Sequence, residues 1–307
     1  MSELPRTRPV GDSEKRKREK AGRDLELWLR ETIGHGSDML PSLPLMAGDI
    51  LAAYGRDRFK RRGTVGDYAA AIHYIIDKYG FMRGNLRPAW QQVRIWNDRV
   101  PTELTVPCPE LVLKGATVVA LTWGWQVYAR YLVHSFYGCH RGCELRAARR
   151  SDLLFPSDFL YQGPYRMYTR VSAPKNQWAG PRTQHSAIRD RSIIDFLARH
   201  FASQEEEELC YPFTSNMTTG RWGRVMGALG VVGLKPRSLR GGGVVRLYEA
   251  TEDMSKVIYQ GRWTQPRNAE WYLQEALTTR LLSRLPEESQ QRLLRLAPMF
   301  DRMIQAL

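Results

Sequence analysis

Pro236-Arg237-Ser238-Leu239-Arg240-Gly241-Gly242-Gly243 is followed by Gly261-Arg262-Trp263 and then by Glu270-Trp271-Tyr272. The order arginine, tryptophan, tyrosine carries the information, together with its spacing. Trp263 lies 23 positions after Arg240, and Tyr272 lies nine after Trp263. Taken singly, each residue has an ordinary reading. A lone arginine is a surface cation, and a lone tryptophan or tyrosine is a core aromatic. The ordered set is much harder to obtain by chance.

Two further blocks lie upstream. Val127 to Tyr137 reads as an apolar helix that runs into Gly138-Cys139-His140-Arg141-Gly142-Cys143-Glu144-Leu145, followed by Ser151-Asp152-Leu153. The other block is Tyr168-Thr169-Arg170-Val171-Ser172-Ala173-Pro174-Lys175-Asn176-Gln177, in which Lys175 is the only lysine between Lys114 and Lys235.

Together the four blocks resemble the active-site boxes of the tyrosine recombinases, the phage integrase family. The resemblance spans roughly residues 25–275, and its Ser-Leu-Arg-Gly-Gly and Gly-Arg-Trp wording is closest to the recombinases of DIRS-type and Crypton mobile elements. It implies a mainly α fold with a small antiparallel β-sheet, built as a helical core-binding domain plus a tyrosine-recombinase catalytic domain. It also implies roles. Tyr272 would be the nucleophile, Arg141 and Arg240 the phosphate clamp, and Lys175, on a β-hairpin, the general acid. Trp263 would pack and hydrogen-bond at the phosphate through its indole N–H, and Glu144 would support the arginines from one turn along the helix.

The chemistry accounts for these residue types. A phenol hydroxyl can attack a phosphodiester and store the bond energy as a phosphotyrosine. The transition state spreads negative charge over the non-bridging oxygens, and guanidinium groups meet it with paired donors that never lose their proton. The departing 5′ oxygen needs a proton, which a positioned lysine supplies. One position departs from the family pattern. Arg237 stands where the family usually has histidine three residues before the second arginine. Guanidinium does not exchange protons near neutral pH, so Arg237 is expected to serve as a third phosphate-binding cation.

Other motifs lead elsewhere. Cys139, His140 and Cys143 lack a second ligand pair with zinc spacing and read as helix packing within the arginine box. Gly241-Gly242-Gly243 lacks the Gly-Lys-Ser/Thr ending of a nucleotide loop. Those glycines are expected to allow close backbone approach at a helix start beside DNA. Glu205 to Glu208 reads as a solvated loop.

The chain has 307 residues, enough for two domains, and a hydrophobic content of 43% supports real cores. Its net charge of +14, from 46 Lys+Arg against 32 Asp+Glu, attracts polyanions at long range and fits nucleic acid. The four cysteines have no disulfide-framework spacing, and no signal peptide is evident. An intracellular location is therefore expected: the nucleus if the host is eukaryotic, otherwise the cytoplasm. No apolar run is long enough to cross a membrane. No metal, nucleotide or other cofactor is implied.

Residues 1–23 are polar and carry Lys15-Arg16-Lys17-Arg18-Glu19-Lys20, and read as a basic disordered arm that touches DNA backbone, addresses the nucleus or aids solubility. Residues 24–100 read as four or five short helices. In one of them Tyr68, Ala71, Ile72, Ile75, Ile76 and Tyr79 repeat at helical spacing. This matches the helical core-binding domain. Its densest basic cluster, Arg56, Arg58, Lys60, Arg61 and Arg62, is the DNA-binding candidate. The proline-rich segment 101–109 reads as the linker, 110–285 as the catalytic domain with a small sheet around 153–195, and 286–307 as an amphipathic C-terminal helix. In the family that helix often docks on a neighbouring protomer, which is the expectation here; docking on its own domain is the alternative.

The expected partners are double-stranded DNA and further copies of the chain, as a tetramer that holds two DNA sites. Two rivals share much of this pattern. A type IB topoisomerase or telomere resolvase uses the same constellation in a different assembly. A non-catalytic DNA-binding descendant would keep the fold without the cleavage, and Arg237 is the residue that speaks for it.

Overall fold

A computed structural model describes residues 11–81, 84–100, 105–160, 163–172, 174, 183–270 and 272–307. The chain divides into two compact units, residues 1–103 and 104–307.

The first unit is helical: α1 (Asp12–Ile33), α2 (Ala47–Lys60), α3 (Val65–Tyr79) and α4 (Arg87–Arg99). Sequence signals mark the helix ends. Thr64 caps α3 by accepting the Asp67 N–H, and Gly80 ends it at a φ of +67°. The core gathers Leu25, Leu29, Leu51, Tyr54, Tyr68, Ile72, Ile75 and Trp96. Tyr68 satisfies its buried hydroxyl by donating to Ala89 O at 3.0 Å.

The expected disordered arm is corrected here. Residues 12–23 are helical and continue into α1. The reason is tertiary. Ala21 and Gly22 are buried, with the Tyr74 ring filling the space a Cβ on Gly22 would need. Arg18 reaches across to Asp77 at 2.7 Å and back to Glu14 at 3.4 Å. Only residues 1–10 of the arm lie outside the described residues.

The second unit is built on α5 (Glu110–Thr122) and α6 (Gln126–Tyr137). Every residue of α6 from Tyr128 to Phe136 is buried, so this helix runs through the middle of the domain. Its one ionisable imidazole is fully partnered. His134 Nδ1 pairs with Tyr211 Oη and Nε2 with Thr169 Oγ1, both at 2.9 Å. Burial first, and then the neighbouring His140, push His134 well below its ordinary pKa, so it is neutral.

Around α6 lie α7 (Gly142–Ala147), α8 (Arg191–Phe201), α9 (Ser215–Leu229), α10 (Ser238–Thr251) and α11 (Met254–Gly261). Then follow α12 (Pro266–Glu270), α13 (Glu275–Ser283) and α14 (Glu287–Ala306). A three-stranded antiparallel sheet in the order β1 (Leu153–Leu154), β2 (Met167–Val171), β3 (Gln184–Ile188) covers one side, with Thr169 opposite Ser186. The fold is thus mainly α with a small antiparallel sheet.

Three expectations change. The second half of the expected linker belongs to this unit: Cys108 is buried and its N–H donates to Ser238 O at 2.9 Å. Residues 101–104 lie outside the described residues. The glycines of α10 do allow close backbone approach, and what Gly242 and Gly243 approach is the protein's own main chain. A Cβ on Gly242 would stand 2.0 Å from Cys108 O, and one on Gly243 would stand 1.9 Å from Phe136 O, so α10 crosses α6 at backbone contact. Gly243→Ala is therefore expected to destabilise the fold by about 3 kcal/mol, because the clash is with main chain that cannot swing away. A urea midpoint equal to the parent's would refute that close crossing.

The third correction concerns α14. Instead of leaving its apolar face for a neighbouring protomer, it packs along α5 of its own domain. Leu293, Phe300 and Ile304 enter the core, Lys114 lies over the Phe300 ring at 5.4 Å, and it meets Asp301 at 3.6 Å. That face of the helix is covered within the chain, while Leu294, Met299 and Leu307 stay exposed. Glu205 to Glu208 is exposed, yet its backbone is used: Glu206 O and Glu208 O accept from Ser151 N and Arg150 N at 2.9 Å each. Among the described residues, no helix is long and apolar enough to cross a membrane.

Candidate active site

The site starts where α6 ends. Cys139 turns the chain with a φ of +51°, and Arg141 then takes the position just before α7. Glu144, one turn along, closes back on it. Arg141 N donates to Glu144 Oε2 at 2.8 Å and Arg141 Nη1 to Glu144 Oε1 at 2.7 Å. The Glu144 side chain is almost fully buried, at 3% exposure.

From the other side comes Arg262, which follows α11 with a φ of +57°, a region that side chains other than glycine rarely adopt. Its Nη2 donates to Glu144 Oε2 at 2.5 Å and to Cys139 O at 3.3 Å, and its Nη1 to Gln260 O at 3.3 Å. Arg240 enters from the first turn of α10 and is also 3% exposed. Its Nη2 donates to Gly261 O at 2.5 Å, and its Nη1 stops 4.0 Å from Glu144 Oε2.

The aromatic residues form the remaining wall. The Arg240 guanidinium lies 5.0 Å from the Trp263 ring centre and 5.7 Å from that of Tyr272. The two rings are 5.0 Å apart and tilted by 41°. Tyr272 is half-buried and is fixed by its N–H to Ala269 O at 2.8 Å. Its hydroxyl has no hydrogen-bond partner among the described residues.

Three guanidinium groups thus converge on a single carboxylate. Burial lowers the Arg240 pKa, and the charges of Arg141 and Arg262 lower it further. Arg262 is lowered too, by burial first and against the pull of Glu144. Burial works to raise the Glu144 carboxyl, but the adjacent His140 and the charge of Arg262 overcome it, so it stays well below the usual carboxylate range. The surplus charge is positive and largely out of water. The Nε and Nη1 of Arg240 are buried without a hydrogen-bond acceptor, and so is Nε of Arg262. Buried donors of a charged group are costly when unmet. An oxyanion with several acceptor atoms would meet them and balance the charge.

Five of the sequence candidates are therefore together: Arg141, Glu144, Arg240, Trp263 and Tyr272. Arg237 is exposed at the start of α10, one turn before Arg240, and holds no ion pair among the described residues. Lys175 lies outside the described residues, as does Trp271. The strands that flank Lys175, β2 and β3, pair from Met167 with Ile188 to Val171 with Gln184. Trp263 is 8% exposed, and its indole has no hydrogen-bond partner among the described residues.

Two contributors were not foreseen. Arg262 stands inside the quoted Gly261-Arg262-Trp263, but sequence alone gives a buried arginine no signal. His140 lies between Glu144 and the sheet: its Nε2 pairs with Ser186 Oγ at 2.8 Å, and its Nδ1, 3.7 Å from Glu144 Oε2, is buried without a hydrogen bond. Burial above all pushes its pKa down to about 4, so it is neutral at physiological pH. No group of three metal-ligating side chains exists among the described residues.

The basic cluster of the first unit is less uniform than its sequence. Arg56, Lys60, Arg61 and Arg62 are exposed at the end of α2, with Arg61 paired to Asp57 at 2.9 Å. Arg58 is half-buried and points toward Asp24 at 3.8 Å, which leaves it the least available for a phosphate.

No family model matches the sequence, and no curated protein matches it. Among solved structures, the integrase of transposon Tn1549, in complex with transposon right end DNA, aligns over 89% of this chain and 94% of that one. The TM-score is 0.61 at 16% identity. XerH bound to its difH substrate aligns over 86% of this chain and 87% of that one, with a TM-score of 0.47 and 12% identity. XerA aligns over 73% and 84%, with a TM-score of 0.45 and 13% identity. This chain shares the fold of that integrase, mainly helical with a small antiparallel sheet.

Proposed function

We propose that this chain is a tyrosine recombinase that cleaves and rejoins double-stranded DNA through a 3′-phosphotyrosine. The observation that carries the reading is Arg240, a buried guanidinium with Nε and Nη1 unmet, 5.7 Å from the Tyr272 ring. A scissile phosphate seated there would take donors from Arg240 and Arg141. Tyr272 Oη would give its proton to solvent and attack phosphorus, the bond from phosphorus to the 5′ oxygen would break, and that oxygen would leave with a proton from Lys175. Arg237, exposed one turn before Arg240, would add a cation on the solvent side. The exposed cations at the end of α2 would contact the DNA backbone. Assembly as a tetramer and a role in a mobile element follow from the family resemblance and the wording around Arg240.

A nicked suicide duplex tests this reading, since a strand whose 5′ end diffuses away cannot be rejoined. The protein should become covalently linked to DNA, and the link should map to Tyr272. Specific DNA binding without any adduct would favour the non-catalytic descendant, which Arg237 in place of a titratable imidazole supports.

The proton donor has its own test. Lys175→Ala is expected to cleave roughly 100-fold or more slowly. A substrate with sulfur at the bridging 5′ position, whose leaving group needs no proton, should return cleavage close to the parental rate. Failure of the sulfur substrate to rescue would remove Lys175 from the role of acid.

A further inference from the structure

Glu144 lies between competing cations, and the geometry shows which one holds it. Oε1 is taken by Arg141 Nη1 at 2.7 Å. Oε2 is taken by Arg141 N at 2.8 Å and by Arg262 Nη2 at 2.5 Å. Arg240 Nη1, at 4.0 Å from the same Oε2, is left without a hydrogen bond. Arg262 is placed for this by an uncommon backbone turn and is held there by Cys139 O and Gln260 O.

We propose that Arg262 is a positioning residue whose task is to occupy Glu144, so that the Arg240 fork stays free for the substrate phosphate. Buried opposite charges separated by 4.0 Å attract strongly in a site that excludes water. A carboxylate released from Arg262 would close on Arg240 and consume the donor that the phosphate needs. Arg262 would thus act through Glu144, without itself touching the reacting atoms. The inference rests on the proposed function only for the identity of the anion.

The test is a pair of variants read with inorganic phosphate and the side-chain Nε–H resonance of Arg240. In the parent, this resonance should shift as phosphate is added. In Arg262→Met, it should already be displaced without phosphate, and phosphate affinity should fall at least about tenfold. Adding Glu144→Gln to Arg262→Met removes the competing charge. It should restore the phosphate-dependent shift and bring affinity back to within about threefold of the parent. Measurements on samples shown to be folded by circular dichroism separate this from general loosening, which would lower the folded fraction and leave the affinity of the folded molecules alone.

Arg262→Lys keeps one donor toward Glu144 and should fall between the parent and Arg262→Met. If the double variant binds phosphate no better than Arg262→Met, then Arg262 is a direct ligand or plain scaffold, and the inference is overturned. A parent that binds no phosphate overturns it as well. A parent that binds phosphate with the predicted pattern, yet forms no adduct with DNA, retains the inference and removes the catalytic reading.

Discussion

Tyr272→Phe is expected to bind DNA as the parent does and to form no covalent adduct. The substitution removes one hydroxyl and keeps the ring that lies 5.0 Å from Trp263 and 5.7 Å from the Arg240 guanidinium. That hydroxyl has no hydrogen-bond partner among the described residues, so stability should move by less than about 0.5 kcal/mol. Cleavage should fall by at least about 10,000-fold, on the order of 5.5 kcal/mol, since no covalent route remains without the nucleophile. Single-turnover assays on the nicked suicide duplex measure the loss. An adduct in this variant, mapped to another residue, would displace Tyr272 from its role.

Arg240→Met separates catalysis from folding. If Arg240 is a preorganised ligand for the transition-state charge, cleavage should drop roughly 1,000-fold, about 4 kcal/mol. Stability should stay level or rise. The parent carries a guanidinium that is 3% exposed, has two unmet donors and stands beside two like charges, Arg141 and Arg262. Replacing a buried charge that has unmet donors by a side chain of similar length removes that penalty and keeps contact with the Trp263 ring. The bond to Gly261 O and the 4.0 Å attraction of Glu144, which keeps Arg141 and Arg262, are lost. Arg240→Lys should recover little cleavage, because a point charge lacks the two-pronged geometry. A marked fall in Tm for Arg240→Met would make Arg240 a structural arginine and weaken the reading of the whole site.

These expectations differ in how much of their basis the sequence holds. The helices of the first unit were legible because apolar side chains repeat at helical spacing and caps such as Thr64 and Gly80 mark the ends. The run from Val127 to Tyr137 became α6, although burial on all sides gives no periodic pattern; length and apolarity sufficed. The stretch from Lys15 to Lys20 looked like a disordered arm because its charges dominate local composition. The balancing groups sit elsewhere: Asp77 on α3 for Arg18, and the Tyr74 ring over Gly22. In α14 the amphipathic pattern was visible, but a pattern does not state which surface will cover it; α5 of the same domain does.

The sequence by itself determined the order and type of the chemical groups. Arg141, Glu144, Arg240, Trp263 and Tyr272 could be chosen because their order and spacing resemble the active-site boxes of the tyrosine recombinases. The tertiary structure alone decided what these groups do to one another. Arg262 and Glu144 are 118 residues apart in sequence and 2.5 Å apart in space, a pairing set by the left-handed turn at Arg262 and the packing of α11. The close crossing that makes Gly243 obligatory depends on the carbonyl of Phe136, 107 positions earlier. Charge surplus, burial and unmet donors are properties of a three-dimensional neighbourhood. They arise only when α6, α10 and α11 bring their ends to one place and water is excluded from among them.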